Sequence, residues 1–288
     1  MTAPTGCTSR EWRADVPRPK MPEGLYVSVS QVKTWLMCPR KYELKYIRGV
    51  APAFVPVNLA FGSAFHEALA GYYNEIKVSG APLRRDLVLD TFRAAWAKAA
   101  EGDIPLQADE DDDPGIMIDK GVSMLHAFYE QAGIPEVEAV EHGFTITLHD
   151  VDSGEPLEEK LVGTMDLLIR EEGRVVIVEH KSAARRFTED QLRFDFQPTA
   201  YQIAARESGL GEVALRFQII TKSKVPAVQV VNIHRDDQDE ADFVRTATGV
   251  LRAIDAGVSY PIRGWQCRSC PYESACNQAA RSKVKSVA

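Results

Sequence analysis

The stretch GTMDLLIREEGRVVIVEHK, Gly163 to Lys181, decides how this chain is read. Branched apolar residues fill the run RVVIVEHK, which reads as a central strand, and Leu161 to Ile169 supplies a second strand. The turn at Glu171–Gly173 joins them into a hairpin. Residues two apart on a strand share a face, so Glu179 and Lys181 project together. The hairpin brings Asp166 across from that pair, with Gly163 three residues before it on the same segment.

Working outward, Val137 to Leu148 alternates as a strand does, and two more strands are expected at about 214–221 and 226–234. Helical spacing precedes them. A cap at Ser28 or Ser30 opens QVKTWLMC, Pro39 interrupts it, and KYELKYI continues. In LAFGSAFHEALAGYY, Leu59, Phe65, Leu69 and Tyr72 form an apolar side. Gly80 and Pro82 punctuate the chain before further helices at 84–100, 117–131, 189–208 and 237–256, with Pro198 marking a kink or a start in the third. This order fits an α/β fold: a mixed central sheet flanked by helices, with an N-terminal helical region. Residues 1–24 read as a flexible lead-in. Residues 25–288 read as one domain, carrying a helical insertion at about 80–132 and a cysteine-rich part at about 260–280.

Of 288 residues, 45% are hydrophobic, enough for a core that needs no covalent staple. Lys and Arg number 34 against 41 Asp and Glu, a net charge of −7. That balance argues against indiscriminate coating of nucleic acid and leaves a local groove open. No run approaches the roughly 20 apolar residues of a membrane span, and the N-terminus lacks the order of an export signal. A cytoplasmic location is therefore expected. The segment EGDIPLQADEDDDPG carries seven acids and no base, but lacks the ordered pattern of a calcium loop and reads as an exposed connection.

Two acids with an imidazole, His66 from the early helix, offer oxygen and nitrogen ligands suited to Mg²⁺ or Mn²⁺. Lys181 would orient water or stabilise charge on a phosphoryl oxygen, since an ammonium is no base until its proton leaves. Singly, each of these residues is more often structural. In this order the sequence resembles the PD-(D/E)XK nuclease superfamily, especially its RecB-like and Cas4-like branch, over about residues 28–280. The resemblance implies a restriction-endonuclease-like core, with His66, Asp166 and Glu179 as metal ligands beside the backbone carbonyl of His180, and with Lys181 completing the centre. The His180 imidazole has no assigned role. Gln197 and Tyr201 match the branch's Q-x-x-x-Y and can share a helix face. There Gln197 would bond near the scissile phosphate, and Tyr201 would contact the strand or fix the lysine. Gly62 and Ser63, one turn before His66, leave room for a phosphate backbone or for close helix–sheet packing; both can hold at once.

Five cysteines are too few for a disulfide scaffold, and Cys7 stands apart. The pattern Cys267-x2-Cys270-x5-Cys276 points to a metal group rather than to disulfides in a cytosolic chain. With Cys38 as fourth partner, it resembles the iron–sulfur cradle of Cas4-like and AddB-like nucleases, which implies a [4Fe–4S] cluster. Zinc is the rival occupant. Trp265, Arg268 and Tyr272 nearby, and Arg185, Arg186 and Arg193 after the central strand, are candidates for DNA contacts, and Trp265 is equally placed to cover the cluster.

The resemblance thus implies a Mg²⁺- or Mn²⁺-dependent deoxyribonuclease. It would act as an exonuclease on linear, double- or single-stranded DNA in recombination, repair or replication. Cas4-like trimming of CRISPR spacers and non-catalytic DNA binding or assembly on the same fold are the alternatives, with a zinc-stabilised interaction protein as a third class. Protein partners and oligomeric state are not legible in the chain.

Overall fold

A computed structural model describes residues 26–107 and 113–284. The expected lead-in 1–24, with Cys7, and part of the acidic connection lie outside the described residues. Strand β1 (Tyr26–Val27) enters helix α1 (Val29–Met37), which Ser28 caps by accepting from the Gln31 N–H. Pro39 pushes Cys38 into an extended conformation and restarts the chain as α2 (Pro39–Tyr42) and a π-helical turn (Glu43–Ile47).

Helix α3 (Val57–Ser79) is the longest, and its buried residues recur at helical spacing from Val57 to Ile76. Phe61, Phe65 and Tyr72 are fully enclosed, each contributing on the order of 2 kcal/mol by burial. Leu59, expected on the apolar side, is 62% exposed; Phe61 takes that place. Gly80 ends the helix in the left-handed conformation, φ +75°. Helices α4 (Arg85–Ala100) and α5 (Pro114–Gln131) pack beside α3. Asp113, last of the acidic run, is the N-cap of α5. A short parallel pair, β2 (Val55–Pro56) and β3 (Leu106–Gln107), ties the two ends of this layer.

The sheet comprises β4 (Glu136–His149), β5 (Pro156–Glu171), β6 (Arg174–Ala183), β7 (Ala214–Thr221), β8 (Val228–Ile233) and β1. β4 runs antiparallel along one edge of β5. β6 is antiparallel to β5, parallel to β7, and β7 is antiparallel to β8. The mixed sheet expected from sequence is therefore present. Glu172 and Gly173, both at positive φ, make the two-residue β5–β6 turn.

The crossover from β6 to β7 carries α6 (Glu189–Arg193) and α7 (Phe196–Glu207). One helix was expected here; the chain instead breaks at Phe194–Asp195, where Asp195 caps α7, and Pro198 is accommodated in the first turn. With α1 and α8 (Asp237–Asp255), α7 covers the face opposite α3–α5. The chain ends in a 3₁₀ turn (Trp265–Cys267) and α9 (Glu273–Val284).

The second edge of β5 is shared. β1 pairs with it at Lys160–Leu161, and β6 at Leu167–Glu171. Between Val162 and Asp166 no strand occupies this edge among the described residues. Leu161 and Met165 pack on the α7–α8 side, whereas Leu167 and Ile169 pack on the α3 side, so β5 rotates at Asp166. The sheet forks there.

Candidate active site

Continuing the β5–β6 register beyond Leu167 and Val178 would set His180 opposite Met165. Pairing stops instead, and Asp166 Oδ2 accepts the His180 N–H at 2.8 Å. His66, on α3, brings Nδ1 to 3.5 Å from the same oxygen. Glu141 lies on β4 between the pairs Val140–Leu167 and His142–Met165, hence opposite Asp166. Its φ of +50° is rare for a residue with a β-carbon and costs about 1–3 kcal/mol. His66, Glu141 and Asp166 each present a ligand atom within 4.8 Å of the others.

Electrostatics shows what this group lacks. Burial and the Asp166 carboxylate push Glu141 up to about 7, against the pull of His66. Burial also disfavours charge on Asp166, yet the bond to His66 and its charge outweigh that and hold the carboxylate below its ordinary range. For His66, desolvation is overcome by the same partner and its pKa rises. Two acids and an imidazole facing one point are suited to a hard divalent cation, which would relieve this repulsion.

Glu179 stands beside this group rather than within it. Its Oε1 accepts from Lys181 Nζ at 2.6 Å, and its Oε2 lies 2.6 Å from the Tyr201 hydroxyl. Lys181 Nζ also donates to Gln197 Oε1 at 2.7 Å, and Gln197 Nε2 donates to Tyr201 Oη at 2.7 Å. The Tyr201 hydroxyl reaches the Thr164 carbonyl at 2.8 Å, on the strandless edge of β5. The Tyr201 hydroxyl thus has two acceptors within reach, Thr164 and Glu179, for its one hydrogen. Burial together with Asp166 raises the Glu179 carboxyl to about 7, against the pull of Lys181 and Tyr201. Desolvation opposes charge on Lys181, but Glu179 outweighs it and the ammonium persists.

Asp195 accepts from the Gln197 N–H and from Lys33 Nζ, each at 2.8 Å, fixing the start of α7. The His180 imidazole projects to the α3 side, stacked on Tyr73 with ring centroids 5.4 Å apart. Burial holds it to about 4, so it is neutral at pH 7. Gly163 has a steric reason: an added Cβ would meet Phe144 Cζ at 2.5 Å. Gly62 has none of that kind, since the nearest contact would be Ser182 Oγ at 3.9 Å.

The model of the PD-(D/E)XK nuclease superfamily matches residues 26–277. This chain belongs to that superfamily. No curated protein matches it. Among solved structures it is similar to a putative exonuclease from Eubacterium rectale, at 16% identity and a TM-score of 0.52, covering 88% of this chain and 87% of the other. It also matches the protein SSO0001 at 16% identity and a TM-score of 0.34, covering 82% and 92%.

The structure of this PD-(D/E)XK member thus places His66 and Asp166 together, and Glu179, Lys181, Gln197 and Tyr201 in one hydrogen-bonded chain beside them. Sequence reasoning missed Glu141. Acids on strands ordinarily face water, and Glu138 nearby does pair with Arg170; Glu141, at positive φ, instead faces His66 and Asp166.

From the two ends of the superfamily match, Cys38 and Cys267, Cys270 and Cys276 come together as free thiols lining one pocket, with Tyr272 and Leu44. The Arg40 N–H donates to the Tyr260 carbonyl and the Ala53 N–H to the Pro271 carbonyl, binding the Cys38 corner to the C-terminal segment. Burial and the neighbouring Cys38 and Cys270 raise the Cys276 thiol, against Arg263 and Arg40. Tyr272 is buried at this pocket, whereas Trp265 is 79% exposed and does not line it.

Proposed function

We propose that this protein is a divalent-metal-dependent deoxyribonuclease, hydrolysing phosphodiester bonds from the ends of linear DNA in the cytoplasm. The observation that supports it most is the convergence at the fork of β5 and β6: His66, Glu141 and Asp166 around one point, with the Glu179–Lys181–Gln197–Tyr201 chain adjoining. A binding protein has no need of a lysine held against two acceptors beside a cation site.

Mg²⁺ or Mn²⁺ at His66, Glu141 and Asp166, joined by Glu179 and the His180 carbonyl, would supply Lewis acidity and a hydroxide near neutral pH. Glu179 and Gln197 hold the Lys181 ammonium, which stabilises negative charge growing on the phosphoryl oxygens. Tyr201 orients Gln197 and Glu179 from the strandless β5 edge. The exonuclease reading follows the resemblance of these residues to the RecB-like branch.

We assign a [4Fe–4S] cluster to Cys38, Cys267, Cys270 and Cys276. The four are free thiols lining one pocket, and the assignment follows the resemblance of their spacing to the iron–sulfur cradle of Cas4-like and AddB-like nucleases. Within this reading 25–288 acts as one nuclease unit, α4–α5 being an insertion and 260–280 the cluster part.

The test is cleavage of 5′- and 3′-labelled linear DNA by anaerobically purified protein with Mn²⁺ or Mg²⁺, beside a closed circle and Glu179→Ala. Cleavage of linear DNA only, lost in Glu179→Ala, is expected. Absence of cleavage on every substrate would reject the activity. Iron content and visible absorption, lost in Cys270→Ser, test the cluster.

A further inference from the structure

The crossover leaving the β6 end of the site carries an aromatic that the fold does not use. Phe194 is 66% exposed, between α6 and α7, three residues before Gln197. At 3.8 Å per Cα step it lies within about 11 Å of the residue that holds Lys181. Scattered exposed apolar side chains are ordinary, but this one stands on a rigid base. The Phe187 N–H donates to Gln229 Oε1 at 2.9 Å, and Gln229 Nε2 donates back to the Phe187 carbonyl at 3.2 Å. Arg235 Nη2 donates to the carbonyls of Leu192 and Asp195 at 2.7 and 3.1 Å, on either side of Phe194. Thr188 and Gln191 form a capping box on α6.

The same segment is rich in uncommitted cations. Arg185, Arg186 and Arg193 are all exposed and none forms an ion pair among the described residues. Arg193 sits 5.3 Å from the centroid of the Phe194 ring. The segment's acids, Glu189 and Asp190, occupy the first turn of α6, where the helix dipole favours them. In a chain of net charge −7, three exposed arginines without ion pairs within ten residues, one of them beside the aromatic, are a local departure.

We infer that the segment from Arg185 to Phe194 grips a single DNA strand at the site, Phe194 stacking on a nucleobase and the three arginines meeting its phosphates. Arginine with aromatic faces is the chemistry of strand binding without sequence preference. A base is free to stack there only when unpaired, so the segment favours a single-stranded or frayed end. This rests on the nuclease reading above and specifies its substrate.

The experiment uses full-length, cluster-loaded protein in EDTA, with fluorescein-labelled oligo(dT) 20-mer and a blunt hairpin duplex as probes in anisotropy titrations. Phe194→Ala should weaken oligo(dT) binding about tenfold, Phe194→Trp should restore it, and the duplex should respond little. Replacing Arg185, Arg186 and Arg193 together by Gln should reduce the salt slope for oligo(dT) by about two. Unchanged oligo(dT) affinity in both variants would overturn the inference, as would equal losses on duplex and single strand or a lowered melting temperature in Phe194→Ala. If those variants bind normally while the wild type cuts DNA with Mn²⁺, only this inference falls; if the wild type neither binds nor cuts any DNA, the nuclease reading falls with it.

Discussion

Asp166 Oδ2 lies 2.8 Å from the backbone nitrogen of His180, occupying with a side chain the place where the main chain of Met165 would have paired. One carboxylate therefore ends the β5–β6 ladder and faces the candidate cation site. Asp166→Asn keeps an oxygen for that N–H, whereas Asp166→Ala leaves it unpaired at a further ~1–3 kcal/mol. Both should lose roughly two to three orders of magnitude in cleavage. Urea unfolding separates the two effects, and equal midpoints for Asn and Ala would show that the bond carries no structural weight.

Glu141 gives a pH signature in metal-free protein. Its folded pKa, about 7, exceeds its ordinary 4.5, so the folded state binds more protons between those values. Stability therefore falls as pH rises from about 4.5 to about 7 and is level above. Glu141→Gln removes its own share of that slope and leaves the share of Glu179, which is also raised to about 7. In EDTA its melting temperature should exceed the wild type's by a margin that grows from pH 5 to pH 8, and Mn²⁺ should raise it less. A margin independent of pH would refute the assignment.

Gln197 gives Lys181 its second acceptor, at 2.7 Å. Gln197→Ala should lower kcat by roughly ten- to a hundredfold with little change in KM, because the ammonium loses its position relative to a developing charge. Gln197→Glu retains an acceptor oxygen and should be milder. Steady-state kinetics on a labelled oligonucleotide distinguishes them; a pure KM effect would make Gln197 a binding residue instead.

Gly163 is demanded by Phe144, 5% exposed, whose ring an added methyl would strike. Gly163→Ala should cost about 1–3 kcal/mol in thermal unfolding, as overpacked cores do. Adding Phe144→Leu should recover much of it. Additive losses in the double variant would place the strain elsewhere.

The hairpin, the flanking helices and the pairing of Glu179 with Lys181 were legible because period-2 and period-3.6 patterns are local properties of the chain. Gln197 and Tyr201 were legible as an i, i+4 pair with a link to the lysine, but the link runs through Gln197 where Tyr201 is expected to fix it, and Tyr201 reaches Glu179 and Thr164, which come from other elements. Glu141 was hidden because its partners, His66 and Asp166, come from other elements, and no side-chain pattern announces a left-handed residue inside a strand. The break at Phe194 was missed since Asp195 reads equally as a helix-interior acid until Lys33, 162 residues away, and the Gln197 N–H claim it.

His66 descends from one helical layer while Tyr201 and Gln197 come from the other, and they approach each other only through the opening where β6 leaves β5. Neither layer alone assembles a hydrolytic centre. A chain with a single layer docked would hold its carboxylates without the His66 imidazole, or Lys181 with Glu179 but without Gln197. As a nuclease, the protein would therefore cut only with both helical layers docked on the sheet.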